Sequence, residues 1–255
     1  MPWAGRTLAP TGFEGDDGSA DPGLAAALRR LAAGDADLAD VARALGDVRV
    51  LVPVVAVLTE SEQVARPGQA TGADRAAERP ASGSLTGDKA ADMALVTLTA
   101  PDGRRALPVF SSVPALAAWD ESARPVPVGG RRAALSAVAE GCSLLVVDPS
   151  GPVSATLPRP ALWAVAQGVP WTPALHDPEV AAAVGAAAGS VDGVRTTRCE
   201  PGRRAELAVV LGIRKGLDRP ALQRVLHEVT RRLAESAVVA DRVDSLELRP
   251  VATEE

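Results

Sequence analysis

One short apolar run limits the fold more than any other feature of this sequence. Residues 48–58 read VRVLVPVVAVL, which is rich in valine and almost free of polar side chains. This composition is typical of a strand covered on both faces, so we expect an α/β fold, with α+β as the alternative. Because Pro53 cannot donate to a neighbouring strand, the strand lies at an edge there or is bulged, and we favour a bend that keeps both halves paired.

The composition of the chain restricts its core and its partners. Of 255 residues, two are phenylalanine, four are tryptophan and none is tyrosine, so the core must be aliphatic. The length suits one large domain or two unequal ones, and we expect two. The net charge of −5 and the scarcity of aromatic stacking platforms argue against direct nucleic-acid binding.

The cysteines and the first residues indicate a cytoplasmic protein. Cys142 and Cys199 cannot form a disulfide framework, and residues 1–20 lack the basic end and apolar stretch of a secretory signal. The run at residues 48–58 is far shorter than the roughly 20 residues that a helix needs to span a bilayer. We therefore expect reduced thiols and no membrane segment.

The distribution of Gly, Pro and large apolar residues predicts the domain boundaries. Residues 59–91 have hardly any large apolar side chain, so ordering them would cost entropy without compensating burial. We expect a flexible arm over 1–18, a larger mixed α/β domain over 19–170 with a disordered insertion at 59–91, a proline-marked linker over 171–190, and a small C-terminal domain over 191–252.

Capping residues predict the first two helices. Asp21 stands before a proline and before leucines at helical spacing, which predicts a helix over 22–33. Asp35 or Asp37 then caps a second helix. These two aspartates and Asp40 also imitate part of a calcium loop, but its glycine and closing glutamate are absent. Capping is therefore the preferred interpretation.

A turn signal and an apolar pattern predict the next elements. Residues 101–103 read Pro-Asp-Gly, which predicts a reversal between a strand at 93–99 and a strand at 104–110. Residues 131–140 predict a helix whose Leu135 faces the core.

The C-terminal region contains the clearest helix. Strand patterns at 194–199, 206–213 and 245–251, with this helix before the last of them, predict a ββαβ order. So small a domain buries a limited core and is expected to lean on the first domain or on a second copy of itself. The apolar stripe of the helix consists of Leu222, Val225, Leu226, Val229 and Leu233.

Several segments, in order and with similar spacing, resemble one family. They are DDGSADPGLAAAL, the strand LVPVVAV, DMALVTLTAPDGRRALPVFSS, the helix ending at Trp119, and LLVVDPSGP. Together they resemble the SseB family of bacterial proteins in its actinobacterial form, over most of residues 16–170, and residues 190–251 look like the small second domain of that form. The resemblance implies no enzymatic activity, cofactor or catalytic residue.

Side chains able to carry out acid–base chemistry are few and scattered. His227 lies on the polar face of the clear helix, where a surface role is expected. His176 follows the proline-rich stretch and precedes Asp177, but neighbours in sequence seldom point at each other. Two distant histidines and two distant cysteines do not form a zinc pattern. We expect no catalytic residue, cofactor or metal.

A few residues remain as binding candidates. Two glycines before Arg131 and Arg132 could present backbone N–H groups and guanidinium charge to an anion. Asp148 ends a strand, and ligands often gather at the carboxyl ends of strands in α/β sheets. Phe110 and Trp119 are either both core anchors, which we favour, or one of them is an interface anchor.

These observations favour an interaction protein over an enzyme. The pairs at 203–204 and 231–232 place four arginines in the small domain, where they could hold an acidic partner, although the nearby acids favour solvated faces. We predict a non-catalytic protein-interaction or regulatory module that binds a partner or itself. The alternative is a small-molecule-binding or anion-binding protein or a cryptic enzyme, with its site at the Arg131–Arg132 turn and the strand end at Asp148.

Overall fold

A computed structural model of the protein describes residue 13, residues 15–57 and residues 92–253. The insertion expected at 59–91 and most of the arm expected at 1–18 lie outside the described residues. Within the described ranges, no helix is long and apolar enough to cross a membrane.

Helices and sheets together confirm the expected α/β class with a C-terminal sheet domain. The helices are α1 (Pro22–Ala33), α2 (Leu38–Gly46), α3 (Val113–Trp119), α4 (Gly130–Ala139), α5 (Arg159–Gln167), α6 (Pro178–Gly189), α7 (Arg219–Glu235) and α8 (Ala237–Arg242), with a 3₁₀ turn at Ala174–His176. The strands are β1 (Arg49–Val57), β2 (Asp92–Leu95), β3 (Leu98–Thr99), β4 (Arg105–Val109), β5 (Arg124–Gly129), β6 (Leu144–Val147), β7 (Ala155–Leu157), β8 (Val194–Pro201), β9 (Leu207–Arg214) and β10 (Leu246–Thr253).

The first helices begin where the capping residues predict. The Asp21 side chain accepts hydrogen bonds from two backbone N–H groups at the start of α1. Asp37 caps α2, and the Asp40 side chain accepts a bond from the Asp37 N–H in return, which forms a capping box. The aspartates therefore satisfy the helix end, as the capping interpretation requires.

Strand β1 joins the two sheets of the first domain. These have the orders β2-β1-β5 and β3-β4-β6-β7. Leu51 and Phe110 exchange two backbone hydrogen bonds of 2.8 Å, which place the end of β4 beside β1. Pro53 lies opposite Pro125 of β5, and β2 pairs with β1 only from Val54 onward. Both halves of β1 are thus paired. Pro53, which has no N–H to donate, lies between Leu51, which pairs with Phe110, and Val54, where the pairing with β2 begins.

Two features differ from the prediction. The single strand expected at 93–99 is split, because β2 pairs with β1 whereas β3 pairs with β4 around the predicted turn. Strand β5 was not predicted, since it contains Pro125 and Pro127. An edge strand tolerates proline because only one of its sides needs donors, and β5 pairs with β1 alone.

Helices α1, α2, α4 and α5 cover these strands with an aliphatic core. Alanine, leucine and valine make up all of its buried residues except Cys142, as the composition predicts. The prediction that Leu135 faces the core is wrong. This residue of α4 is exposed, and alanines fill the buried side of the helix instead.

The C-terminal sheet has the order β10-β9-β8, with β9 antiparallel to β8 and parallel to β10. The ββαβ order is present, with the short helix α8 added after α7. The stretch 171–190 is not a simple linker, because α6 buries Val180, Val184 and Ala188 in the second core. Pro178 lies at the start of α6, a position where proline favours a helix instead of breaking it.

Candidate functional site

Asp148 fastens the carboxyl ends of two neighbouring strands. It follows β6, has a left-handed backbone with φ of 49°, and is only 6% exposed. Its carboxylate accepts one bond of 2.8 Å from the Ser111 N–H and one of 2.6 Å from the Ser111 hydroxyl. Because Ser111 follows β4, which runs parallel to β6, the bonds join two strand ends of one sheet.

Arg49 ties the start of the described chain to the same strand end. Its guanidinium donates to the Ser111 carbonyl at 3.0 Å, to the Asp16 carboxylate at 2.7 Å and to the Ser19 carbonyl at 2.6 Å. Gly18 accepts a bond from the N–H of residue 113. Asp16 and Gly18, which we expected in the flexible arm, are therefore bound to the first domain.

The strand-end network has the properties of a structural clamp. Both oxygens of Asp148 are engaged by Ser111, and the charge of Arg49 is matched by Asp16. In the described part of the chain, neither histidine imidazole joins these bonds. The network brings Asp148 and Ser111 together, but Ser111 occupies both oxygens of the carboxylate. Asp148 is therefore not left available to act as a general base.

The glycine-arginine turn before α4 is used inside the protein. Gly130 donates its N–H to the carbonyl of the residue before β1, and a Cβ there would lie 1.8 Å from the backbone oxygen of Leu45. Close packing of α4 on α2 therefore explains this glycine. Arg131 pairs with Asp47 at 2.6 Å, whereas Arg132 is exposed and forms no ion pair with another described residue.

The two aromatic candidates pack against each other. The rings of Phe110 and Trp119 have centroids 5.3 Å apart and are tilted by 39°. Phe110 is fully buried, and Trp119 is partly exposed at the edge of the same cluster. The pair lies on α3 and the end of β4, apart from the exposed apolar side chains described below.

His176 and Asp177 do not act on each other. The Asp177 carboxylate accepts bonds from the Glu179 N–H and from Arg242, both at 2.9 Å. Burial alone would raise the pKa of Asp177, but these donors outweigh it and hold that pKa below its usual value. The His176 side chain is exposed and forms no hydrogen bond with a described residue.

The two thiols lack the surroundings of reactive cysteines. Burial raises the pKa of both Cys142 and Cys199, which lowers the thiolate fraction at neutral pH. Among the residues that the structure describes, no group of three or more His, Cys, Asp or Glu side chains is placed to hold a metal ion.

Helices α4 and α5 and the residue after the α5 cap expose large apolar side chains that sequence reasoning missed. Leu135 is 55% exposed, Trp163 is 45% exposed and Val169 is 51% exposed. Helix α5 contacts both α2 and α4 and is buried on most sides, so Trp163 occupies its narrow outward strip. The pattern of Leu135 alone could not reveal this, because the buried side of α4 is made of alanine.

Leu135 and Trp163 lie on neighbouring helices. The Arg131 guanidinium lies against Gly168, so the start of α4 is beside the end of α5. Leu135 follows Arg131 by one helical turn, while Trp163 precedes Gly168 by a little more than one turn. Both therefore fall near the middle of the helix pair. We call the exposed residues Arg132, Leu135, Trp163 and Val169 together the α4–α5 outer face.

One family model matches most of the first domain. The model of the SseB protein N-terminal domain matches residues 24–164, which is more than half of the chain. The chain belongs to the SseB family. No curated protein and no solved structure matches it. The SseB domain contains the Ser111–Asp148 bonds and Trp163, whereas the second core lies beyond the matched range.

Proposed function

We propose that this SseB protein is a non-catalytic interaction module whose α4–α5 outer face binds an acidic, amphipathic helix of a partner protein. The half-exposed Trp163 is the main support for this function. Tryptophan is enriched among the few interface residues that carry most of the binding energy. A polar residue would serve folding equally well at an outward position of α5.

The neighbouring apolar residues extend the contact around Trp163. Leu135 and Val169 are each about half exposed, so covering the exposed half of such a side chain contributes roughly 0.8–1.5 kcal/mol. Three apolar side chains, two on adjacent helices and one just after the end of α5, suit the i, i+3, i+4 anchors of a partner helix. A single exposed apolar residue would require no such explanation.

Charge at one end of the face favours an acidic partner. Arg131 is offset by Asp47, but Arg132 pairs with no carboxylate in the described chain. Both arginines lie about one turn before Leu135. A carboxylate at one end of the partner helix would therefore meet uncompensated positive charge and fix the direction of binding. We place this interaction in the cytoplasm, which fits two free cysteines, and we assign it no nucleic acid.

Site-specific crosslinking in the native host tests the proposal. A photoreactive amino acid replaces Leu135, and a matched control replaces Val251, which is 36% exposed on β10. We expect a discrete adduct with one partner at position 135 only. Trp163→Ala should remove that adduct and raise the Kd for the purified partner by about 30-fold, the equivalent of losing one hot-spot residue.

Stability measurements separate binding from folding. Because Trp163 is half exposed, Trp163→Ala should leave the circular dichroism spectrum intact and change the free energy of unfolding by less than about 1 kcal/mol. The absence of an adduct at position 135, or an adduct that persists in the Trp163→Ala protein, would contradict the proposal. So would an adduct made only within the chain itself.

A further inference from the structure

A cavity of about 630 Å³ lies at the junction of the SseB domain and the C-terminal domain. Leu38, Leu144 and Trp171 line it from the side of the first core, and Leu175 and Arg204 line it from the side of the second. Its volume is within the range of sites that hold small organic molecules, and such sites often occur between domains.

One ion pair and one backbone hydrogen bond cross the junction beside the cavity. Arg104, beside the β3–β4 turn, donates to both oxygens of Asp244 at 2.9 and 2.8 Å. Asp244 also accepts a bond from the N–H of Arg159 at the start of α5, and its side chain is only 7% exposed. Three elements of the two domains therefore meet at one buried carboxylate, which preorganises the walls.

Each carboxylate in the cavity wall is already engaged by the protein. Asp37 caps α2. Glu206 accepts bonds from the N–H groups of Ala174 at 3.2 Å and Asp244 at 2.8 Å. Asp244 in turn accepts from Arg104. The acceptors of the wall are thus used internally, and a cationic ligand would find little that is free.

The groups that remain are mainly hydrogen-bond donors, beside the imidazole of His176 and the hydroxyl of Thr156. Arg203 and Arg204 give their backbone N–H groups to Glu247, but their exposed guanidinium groups pair with no carboxylate among the described residues. The indole N–H of Trp171 is buried without an acceptor in the described chain. A buried donor without a partner is rare in native proteins and indicates that another group completes the site.

We infer that this cavity binds a small organic anion, a carboxylate or phosphate ester carried on an apolar, preferably aromatic body. The body would pack against Leu38 and Leu175, an acceptor atom of the ligand would meet the indole N–H of Trp171, and the anionic group would meet Arg203 and Arg204. A guanidinium fork bonds two oxygens of either anion, so both head groups share one chemistry. The inference goes beyond the proposed function, because the cavity and the α4–α5 outer face share no residue.

The second arginine pair of the domain provides a natural control. Arg231 bonds Glu228 and Glu235, and Arg232 bonds Glu228 and Ser190. The two pairs therefore do not converge on one acidic partner, which was one of the options that the sequence allowed. They carry the same charge in the same domain, yet only the pair at 203–204 lines the cavity.

Fluorescence titration of the full chain with 8-anilinonaphthalene-1-sulfonate, an aromatic anion, tests the inference. We expect saturable binding at one site and displacement by indole-3-acetate, by 1-naphthyl phosphate or by both, which distinguishes a carboxylate from a phosphate ligand. The uncharged 1-naphthalenemethanol should compete at least about tenfold more weakly, since it lacks the anion. Equal competition by the alcohol, or no saturable binding, would overturn the inference.

Variants locate the binding site. Arg203→Gln with Arg204→Gln should weaken binding about tenfold or more, whereas Arg231→Gln with Arg232→Gln should leave it within about twofold. Thr156→Trp fills the cavity from an exposed position on the edge strand β7 and should abolish binding while the protein stays folded. Equal losses in the two arginine variants, or full binding by the folded Thr156→Trp protein, would place the anion elsewhere and overturn the assignment.

Discussion

The two domains differ in the side chains that their helices expose. The SseB domain buries the carboxylate of Asp148 and exposes Trp163. The C-terminal domain also buries carboxylates, at Asp177 and Asp244, but its strand β9 is apolar and buried almost throughout, and the outer side of α7 carries charges that pair with one another. Folding alone accounts for a buried apolar strand and an outer helix face of paired charges.

This difference separates an unusually placed side chain that has a structural role from one that has none. The buried Asp148 is fully bonded to Ser111, so it stabilises the strand ends. The exposed Trp163 has no comparable role inside the domain, whereas Arg231 and Glu228 complete the surface of α7 without a partner. A binding surface is therefore to be sought on α4 and α5 and not on α7.

The largest expected effect comes from disturbing the packing of α4 on α2. Gly130→Ala would place a Cβ at 1.8 Å from a backbone oxygen of Leu45, which cannot move aside as a side chain can. We expect a loss of about 3 kcal/mol or more in the free energy of unfolding, measured by urea denaturation. Crosslinking from position 135 should also fall, since α4 carries the outer face.

The adjacent glycine is the matched control. Gly129 has ordinary backbone angles, and a Cβ there would meet nothing within 4 Å. Gly129→Ala should therefore change stability by less than about 0.5 kcal/mol. Equal effects of the two substitutions would mean that backbone entropy, and not the contact with α2, explains the glycines.

A smaller but still large effect is expected at the buried carboxylate. Asp148→Ala removes the acceptor of two Ser111 donors and leaves alanine with φ of 49°, so we expect a loss of about 2–4 kcal/mol. Asp148→Asn keeps one acceptor oxygen and tolerates the left-handed backbone, so it should lose about half as much.

Hydrogen exchange shows whether this effect stays in one domain. Amides of β4 and β6 should lose protection in the Asp148→Ala protein, while amides of β9 should keep theirs, because β9 belongs to a separate core. Loss of protection in β9 as well would indicate that the two domains unfold as one unit. The contrast between the two domains would then hold for their surfaces and not for their unfolding.

Local signals in the sequence predicted the elements that are determined locally. The start of α1 follows from Asp21, and the turn between β3 and β4 follows from Gly103, which adopts a positive φ of 84°. The apolar stripe of α7 similarly indicated its buried residues Val225, Val229 and Leu233. In each case the cause lies within a few residues of the effect.

Features that depend on distant partners could not be predicted in the same way. Leu135 was expected to face the core, but the alanines of α4 pack against α5 and turn it outward. Strand β5 is possible only because it pairs on one side, which its prolines do not reveal. The link from Asp148 to Ser111 required β4 and β6 to be neighbours, and the cavity required both domains.

The smallest expected effect tests the self-contained surface of α7. Hydrogen bonds from Arg231 and then Arg232 lower the pKa of Glu228 from 4.5 to about 2. Because this pKa is lower in the folded than in the unfolded state, the stabilisation is present above pH 4.5 and is lost as the pH falls toward 2. The difference in Tm between the wild-type protein and Glu228→Gln should thus shrink over this interval, and also in 1 M salt, which screens exposed charges. A difference that persists at low pH and high salt would show that the Glu228 side chain acts by packing. Charge pairing would then no longer explain why the surface of α7 needs no partner.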